Sequence, residues 1–432
     1  MEAAVAPSGR ILDAGTRSRL LTFTLLATVF DGAELTLLSY FFPDLARNFH
    51  VGVPAIVAIN TVQGLASLVG GLLFGPIGDR FGRRVTMLCT VFLYGAATLA
   101  GAFTHGLAMF TATRVVAGLG IGGEFGAAFA IFNELWKSRG RGLLGALVQN
   151  MFVVGIVLTT LVGYLAVHAG VGSATQAWRT AYEVVGLLSL LIWVGILLRM
   201  PESPLWQEYA QARRAGRLPA EMRAAGSIAT LFRRPLLKTT IVASVVATGI
   251  FYLNYSLLLY QPTLLLKVHH VSPGTETNML LLGYLVLFVG GVTTGTLADR
   301  WGRRAASTSM ATVVLAGYVL YLVSWRQPDP GSFWAWPLFW AILIINFGNG
   351  CIGVLGVWLG ELYPTRLRAT AENLVYYIGR GVGASVLPLL AIRLVGGSVG
   401  SALGWGIVGA ALATLFSLLL AETRGREIHA LE

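Results

Sequence analysis

Gly75-Pro76-Ile77-Gly78-Asp79-Arg80-Phe81-Gly82-Arg83-Arg84 and Gly295-Thr296-Leu297-Ala298-Asp299-Arg300-Trp301-Gly302-Arg303-Arg304 are one decapeptide written twice in a chain of 432 residues. The two aspartates stand 220 positions apart (299 − 79), about half the chain. A repeat this long governs architecture, because each copy must sit in an equivalent structural unit. Each copy lies between two long apolar stretches, so the repeat implies a membrane protein built from two similar halves.

Composition agrees. Hydrophobic residues make up 55% and charged residues only 12%, where soluble domains carry about a quarter charged. Apolar windows of about 20 residues, enough to cross a hydrocarbon core, recur along the chain. They predict spans near 19–42, 54–74, 85–103, 107–134, 143–168, 181–200, 239–264, 277–298, 305–325, 333–360, 370–392 and 399–420. The expected architecture is all-α: a tail (1–18), a six-helix bundle (19–200), a linker (201–238), a second six-helix bundle (239–421) and a second tail (422–432). The 53 glycines suit close helix packing in a bilayer.

The formal charge of +11 raises nucleic-acid binding as a reading, but its distribution argues against it. Basic residues gather in alternate loops: Arg10, Arg17 and Arg19; Arg80, Arg83 and Arg84; Lys137, Arg139 and Arg141; Arg199 through Lys238; Arg300, Arg303 and Arg304; Arg366 and Arg368; Arg424 and Arg426. By the positive-inside rule, both termini and both decapeptides are expected on the cytoplasmic side. Residues 1–18 lack a cleaved-signal pattern, so the first span is expected to be retained. Cys89 and Cys351 both fall inside spans, without disulfide or metal-ligand spacing. Lysine is scarce beside arginine, which suggests a prokaryotic source.

Other motifs repeat too. Glu134, Arg139 and Arg141 are echoed 227 positions on by Glu361, Arg366 and Arg368. Pro201-Glu202-Ser203-Pro204 aligns with Ala421-Glu422-Thr423-Arg424.

Ionisable groups within spans are costly, so each is a functional candidate. Asp31 lies about 18 Å into the first helix counting from Arg19, near mid-bilayer. Glu34 follows at i+3 on the same face. Two such carboxylates cannot both ionise cheaply in low dielectric, so one is expected to hold a proton, as a proton-coupling site requires. Arg114 and Glu124 share the fourth span with Gly118, Gly120 and Gly123. Those glycines spell a dinucleotide fingerprint by letter, but no strand precedes them, and a thin helix face is the better reading. Glu124 stands as a second proton or substrate group.

Arg380 in the eleventh span, with Tyr376 and Tyr377 one turn earlier, offers a permanently charged fork suited to a carboxylate and is expected to open onto a cavity. Its alternative role is a pair with Glu372. Asn254, Tyr255, Tyr260 and Gln261 in the seventh span, and Asn346 and Asn349 in the tenth, are uncharged polar candidates for substrate contact.

The decapeptide and its repeat resemble the signature loop of the major facilitator superfamily over almost the whole chain. The resemblance implies two bundles related by pseudo-two-fold symmetry, a substrate site between them at mid-membrane, and alternating access. It assigns a cytoplasmic gate to Asp79, Arg80, Arg83, Arg84, Asp299, Arg300, Arg303, Arg304, Glu134 and Glu361, whose ion pairs form and break as the bundles tilt. Arg114 matches the superfamily's fourth-helix arginine, a partner for Asp31 or Glu34.

Asp31-Gly32-Ala33-Glu34, Gly122-Gly123-Glu124-Phe125-Gly126, and Glu361-Leu362-Tyr363-Pro364-Thr365-Arg366 leading into Tyr377-Ile378-Gly379-Arg380 resemble the bacterial metabolite:proton symporters of the sialate, aromatic-acid and monocarboxylate type. Glu34 stands where those carriers usually have Asp. The expectation is proton-coupled uptake of a small organic carboxylate through the inner membrane by a monomer. Protons serve as coupling ion, with no other cofactor, no metal and no nucleic-acid partner. Transport of a sugar or an organic cation, or ligand sensing without transport, are the alternatives. An enzyme is disfavoured, because no nucleophile–base set or metal cluster occurs at helical spacing.

Overall fold

The computed structural model describes residues 13–136, 140–168, 176–216, 228–363 and 367–425, the side chains of Asp79, Glu134, His168, Leu205, Tyr209, Arg368 and Ala369 excepted. Among the described residues there is no strand. Twelve helices among them are long and apolar enough to cross a membrane, matching the twelve predicted spans. They are α1 (Ala14–Tyr40), α2 (Val53–Gly78), α3 (Arg83–Ala102), α4 (Leu107–Asn133), α5 (Arg141–Val167), α6 (Ala177–Arg199), α7 (Leu236–Val268), α8 (Pro273–Trp301), α9 (Arg303–Ser324), α10 (Pro337–Leu362), α11 (Thr370–Leu394) and α12 (Val399–Ser417). Their outer surfaces are apolar: Leu198, Val323 and Leu394 are each about 70% exposed, as lipid-facing residues are. The chain is a multi-pass membrane protein.

Helices meet through glycine. A Cβ on Gly32 would lie 2.2 Å from the Phe152 carbonyl, and one on Gly155 would lie 1.9 Å from that of Val29, so α1 and α5 touch backbone to backbone. Gly118 and Gly122 bring α4 equally close to Gln63 and Ser67 of α2, which supports the packing reading of the fourth-span glycines.

The repeat is structural. Gly82 and Gly302, at the same position of the two decapeptides, adopt φ of 110° and 106° and break α2 from α3 and α8 from α9. Such φ values favour glycine. His50 and His270, also 220 apart, share a left-handed φ near 52° in the loops at the opposite end.

The halves touch along two seams, α5 against α8 and α2 against α11. Among the described residues of the spans, wide turns occur at Leu264–Val268 and Gly379–Val386 and a tight turn at Asn349–Cys351, all in the second half. Wide turns inside helices are frequent at functional sites.

Candidate functional site

Arg380 sits in the wide turn of α11 and crosses the seam between bundles to Asp31 of α1. Nη2 donates to Oδ1 at 2.9 Å and Nη1 to Oδ2 at 3.1 Å. Asp31 is 2% exposed and Arg380 1%. The rings of Phe152 and Tyr377 lie 5.8 and 5.9 Å from the guanidinium carbon. The expectation that Arg380 opens onto a cavity is therefore corrected: in this conformation the fork is sheathed and filled. Its partner is not Glu372, which lies eight residues away, about 12 Å along the helix, and accepts from Asn133 Nδ2 at 3.4 Å.

Glu34 goes elsewhere. It pairs with Arg114 of α4 at 3.6 Å, both fully buried, inside one bundle. Arg114 Nη2 also donates to the Ala97 carbonyl and the Thr98 hydroxyl, each at 3.2 Å, and its guanidinium lies 4.9 Å from the Tyr182 ring. Asp31 and Glu34, expected to act as one titrating pair, are thus divided between two arginines. Of these two pairs, only Asp31–Arg380 crosses from one bundle to the other.

Glu124 is the third carboxylate of this buried cluster. Its Oε1 accepts from the Thr28 hydroxyl at 3.2 Å, and its Oε2 has no hydrogen-bond partner among the described residues. The cluster holds three carboxylates and two arginines, so burying it without net charge leaves one proton to be carried.

The polar candidates of the second half divide by role. The Tyr377 hydroxyl donates to the Ile121 carbonyl of α4 at 2.7 Å, and the Tyr376 ring stacks on Phe125 of α4 with centroids 3.4 Å apart. Both tyrosines, expected as substrate contacts, are struts between the bundles in this conformation. Tyr260 donates to the Pro388 carbonyl at 2.6 Å, tying α7 to α11. Asn346 is bonded within its own helix, to the Ile342 carbonyl at 3.0 Å. Asn254 is buried. Among the described residues, the Tyr255 hydroxyl, Asn349 Oδ1 and Gln261 Nε2 are buried without a hydrogen bond of normal geometry.

Sequence reasoning missed Gln63 of α2, both of whose amide atoms lack a hydrogen bond of normal geometry among the described residues, and Gln149 of α5, whose Oε1 lacks one there too. They carry the same signal, a lone amide in an apolar span, that singled out the asparagines of the second half.

At the decapeptide end, Asp299 caps α5 of the other bundle, accepting from the Gly142 and Leu143 amides at 2.9 and 3.0 Å. A carboxylate there satisfies orphan donors and the helix dipole together. Arg303 holds Glu361 with two hydrogen bonds, at 3.0 and 2.9 Å, and reaches Asp299 at 3.2 Å. Arg141 approaches Glu361 at 3.6 Å, and the Thr423 hydroxyl donates to it at 2.7 Å. This network ties the bundles shut at that end. Arg83 and Arg84 each donate to a carbonyl, of Gly78 and Leu197 respectively, at 2.7 Å. Arg80 and Arg300 are exposed, as is Arg304, so their side chains do not join the closed network. The side chains of Asp79 and Glu134 lie outside the described residues.

The start of the linker and the start of the second tail share one job that sequence reading did not assign. Glu202 accepts from the Arg83 and Arg84 amides at 2.9 and 3.2 Å. Glu422 does the same for Arg303 and Arg304 at 2.8 and 3.1 Å. Burial pushes the Glu202 carboxyl above the usual range, the amides of Ser203, Arg84 and Arg83 offsetting only part. At Glu422 burial acts in the same direction, but amides of Arg424, Arg303, Thr423 and Arg304 outweigh it and hold the carboxyl below the usual range.

A family model described as Major Facilitator Superfamily matches residues 24–388. A protein named a probable 4-methylmuconolactone transporter, from Cupriavidus pinatubonensis, is 28% identical over 414 residues, 92% of this chain and 89% of its own. The cis,cis-muconate transport protein of Acinetobacter baylyi is 26% identical over 395 residues, 90% of each chain. The solved structure of the proton:xylose symporter XylE from Escherichia coli, bound to 6-bromo-6-deoxy-D-glucose, superposes with a TM-score of 0.78 at 17% identity over 96% of this chain and 98% of that one. At that identity the likeness concerns the fold.

Proposed function

The chain belongs to the Major Facilitator Superfamily, and from that premise we propose that it is a proton-coupled symporter of a small organic carboxylate in the bacterial inner membrane, with Arg380 as the anion ligand. The observation that carries this reading is the two-pronged pair between Asp31 and Arg380. A substrate carboxylate has the same shape and charge as that of Asp31 and competes for the same fork.

The competition gives the coupling. A proton on Asp31 removes its charge and releases Arg380 to the incoming anion. Loss of that proton restores the pair and expels the anion. Proton and substrate are therefore bound together, and the release of either favours release of the other. Because Asp31 and Arg380 belong to different bundles, the exchange also loosens the seam on which alternating access turns. Glu124 carries the second titrating position, beside the first. Glu34 and Arg114 hold α1 against α4 inside one bundle and position Asp31.

Relatives named for muconate and methylmuconolactone transport support a carboxylate-sized, unsaturated cargo. The test is a thermal-shift screen of carboxylates, including muconate and nicotinate, against hexoses and organic cations, followed by uptake into proteoliposomes. The reading expects carboxylates to stabilise the wild type and none to stabilise Arg380→Ala. Stabilisation by hexoses or cations alone would overturn it.

A further inference from the structure

We infer that the cargo is a monoanion, one carboxylate on an otherwise uncharged body, and that dicarboxylates are rejected. This rests on the reading of Arg380 as the anion ligand and narrows it.

Buried cations are few. Among the described residues they are Arg114, Arg141, Arg303 and Arg380, with no lysine or histidine. Arg141 and Arg303 belong to the network at the decapeptide end, where both meet Glu361. Arg114 is held by Glu34, the Ala97 carbonyl, the Thr98 hydroxyl and the Tyr182 ring. All of these lie in the first half, so opening the seam does not withdraw them. That leaves Arg380, whose ion-pair partner sits on the opposite bundle.

The walls around its guanidinium are neutral. The Phe152 and Tyr377 rings stand 5.8 and 5.9 Å from its central carbon, and Tyr255 and Tyr376 face it. Gln149, equivalent to Tyr376 in the repeat (376 − 149 = 227), lies against that tyrosine. Its Oε1 lacks a hydrogen bond of normal geometry among the described residues. The other charged members of the cluster, Glu34 and Glu124, are carboxylates.

Three carboxylates and two arginines are neutral together when one proton is held. A cargo carboxylate taking the place of Asp31 on the fork, with a second proton on Asp31, keeps that total at zero. A second cargo carboxylate brings a negative charge that no buried cation meets. With both ends of the seam shut, no bulk water screens it. Aromatic walls suit an apolar body instead, on which they can stack. The same count makes the empty and the loaded carrier equal in charge, so a membrane potential has nothing to act on.

Two ligand pairs isolate the second charge. Sorbate and trans,trans-muconate share one conjugated chain and differ in a methyl against a carboxylate. Benzoate and terephthalate differ in a hydrogen against a carboxylate. Calorimetric titration uses the purified full chain in lipid nanodiscs near neutral pH, where every ligand carboxyl is ionised. Sorbate and benzoate should bind, and each dicarboxylate should bind more weakly on the order of a hundredfold, the scale of an uncompensated buried charge. Sorbate concentration jumps on proteoliposomes fixed to an electrode should move no net charge. Equal affinity within either pair, or charge movement with sorbate, overturns the inference while Arg380 stays the anion ligand. Sorbate bound equally well by Arg380→Ala defeats the reading beneath it instead.

Discussion

Asp31 and Arg380 come from helices 349 residues apart and close on each other with two hydrogen bonds, at 2.9 and 3.1 Å, across the seam between the bundles. Each is the only ion-pair partner of the other among the described residues. A buried pair of this kind contributes little net stability, yet losing one member leaves an uncompensated charge.

Arg380→Ala should therefore destabilise the fold by about 3–5 kcal/mol, and Asp31→Asn added to it should recover most of that loss without restoring anion binding. Thermal unfolding in detergent measures the first part and ligand-induced shifts the second. A double variant no more stable than Arg380→Ala would mean the pair is not the source of the cost.

Arg380→Lys keeps the charge but loses the planar fork. Anion affinity should fall by about tenfold or more while protein stability stays close to that of the wild type. Unchanged affinity by calorimetry would mean that charge alone, without bidentate geometry, holds the substrate.

Glu34→Gln should behave differently from Asp31→Asn. The Glu34–Arg114 pair lies within one bundle and need not break during the cycle. Its loss should lower thermal stability and transport rate together, yet leave proton-driven accumulation in proteoliposomes intact. Asp31→Asn should abolish accumulation and leave downhill exchange.

Asp299→Asn weakens the cap on α5 by about 1 kcal/mol and should favour opening at the decapeptide end. Phe129 is 1% exposed against Gly356 of the other bundle. A cysteine at Phe129 (Phe129→Cys) should therefore label faster with an aqueous thiol reagent when combined with Asp299→Asn. An unchanged rate would remove Asp299 from the gate.

The Glu422 carboxyl is held below its usual range by backbone amides. Its contribution to stability is thus present above the ordinary glutamate value and fades as pH falls through the depressed one. Glu422→Gln should lower the melting temperature near neutral pH and converge on the wild type in acid. A constant difference across pH would contradict this.

Much of the fold was legible because lipid filters sequence harshly. Charges inside spans cost enough that Asp31, Glu34, Arg114, Glu124 and Arg380 stood out without coordinates. Their pairing did not. The spans are apolar on nearly every side, so nothing in their sequence gives the rotation of α1 that turns Asp31 toward α11 and Glu34 toward α4. The closed gate was also only half visible: Arg80, Arg300 and Arg304 share the motif's letters but point to solvent, and Arg141, noted as a loop charge, reaches Glu361.

The central claim is that a proton on Asp31 frees Arg380 for the anion. It is tested most directly by calorimetric titration of one carboxylate ligand, chosen by the thermal-shift screen, across pH on wild type and Asp31→Asn. The account predicts that wild-type affinity falls by about tenfold per pH unit over the upper part of the range, the slope of one linked proton. Binding to Asp31→Asn should be tight and flat. An equal pH slope in both proteins, or wild-type binding indifferent to pH, would contradict it.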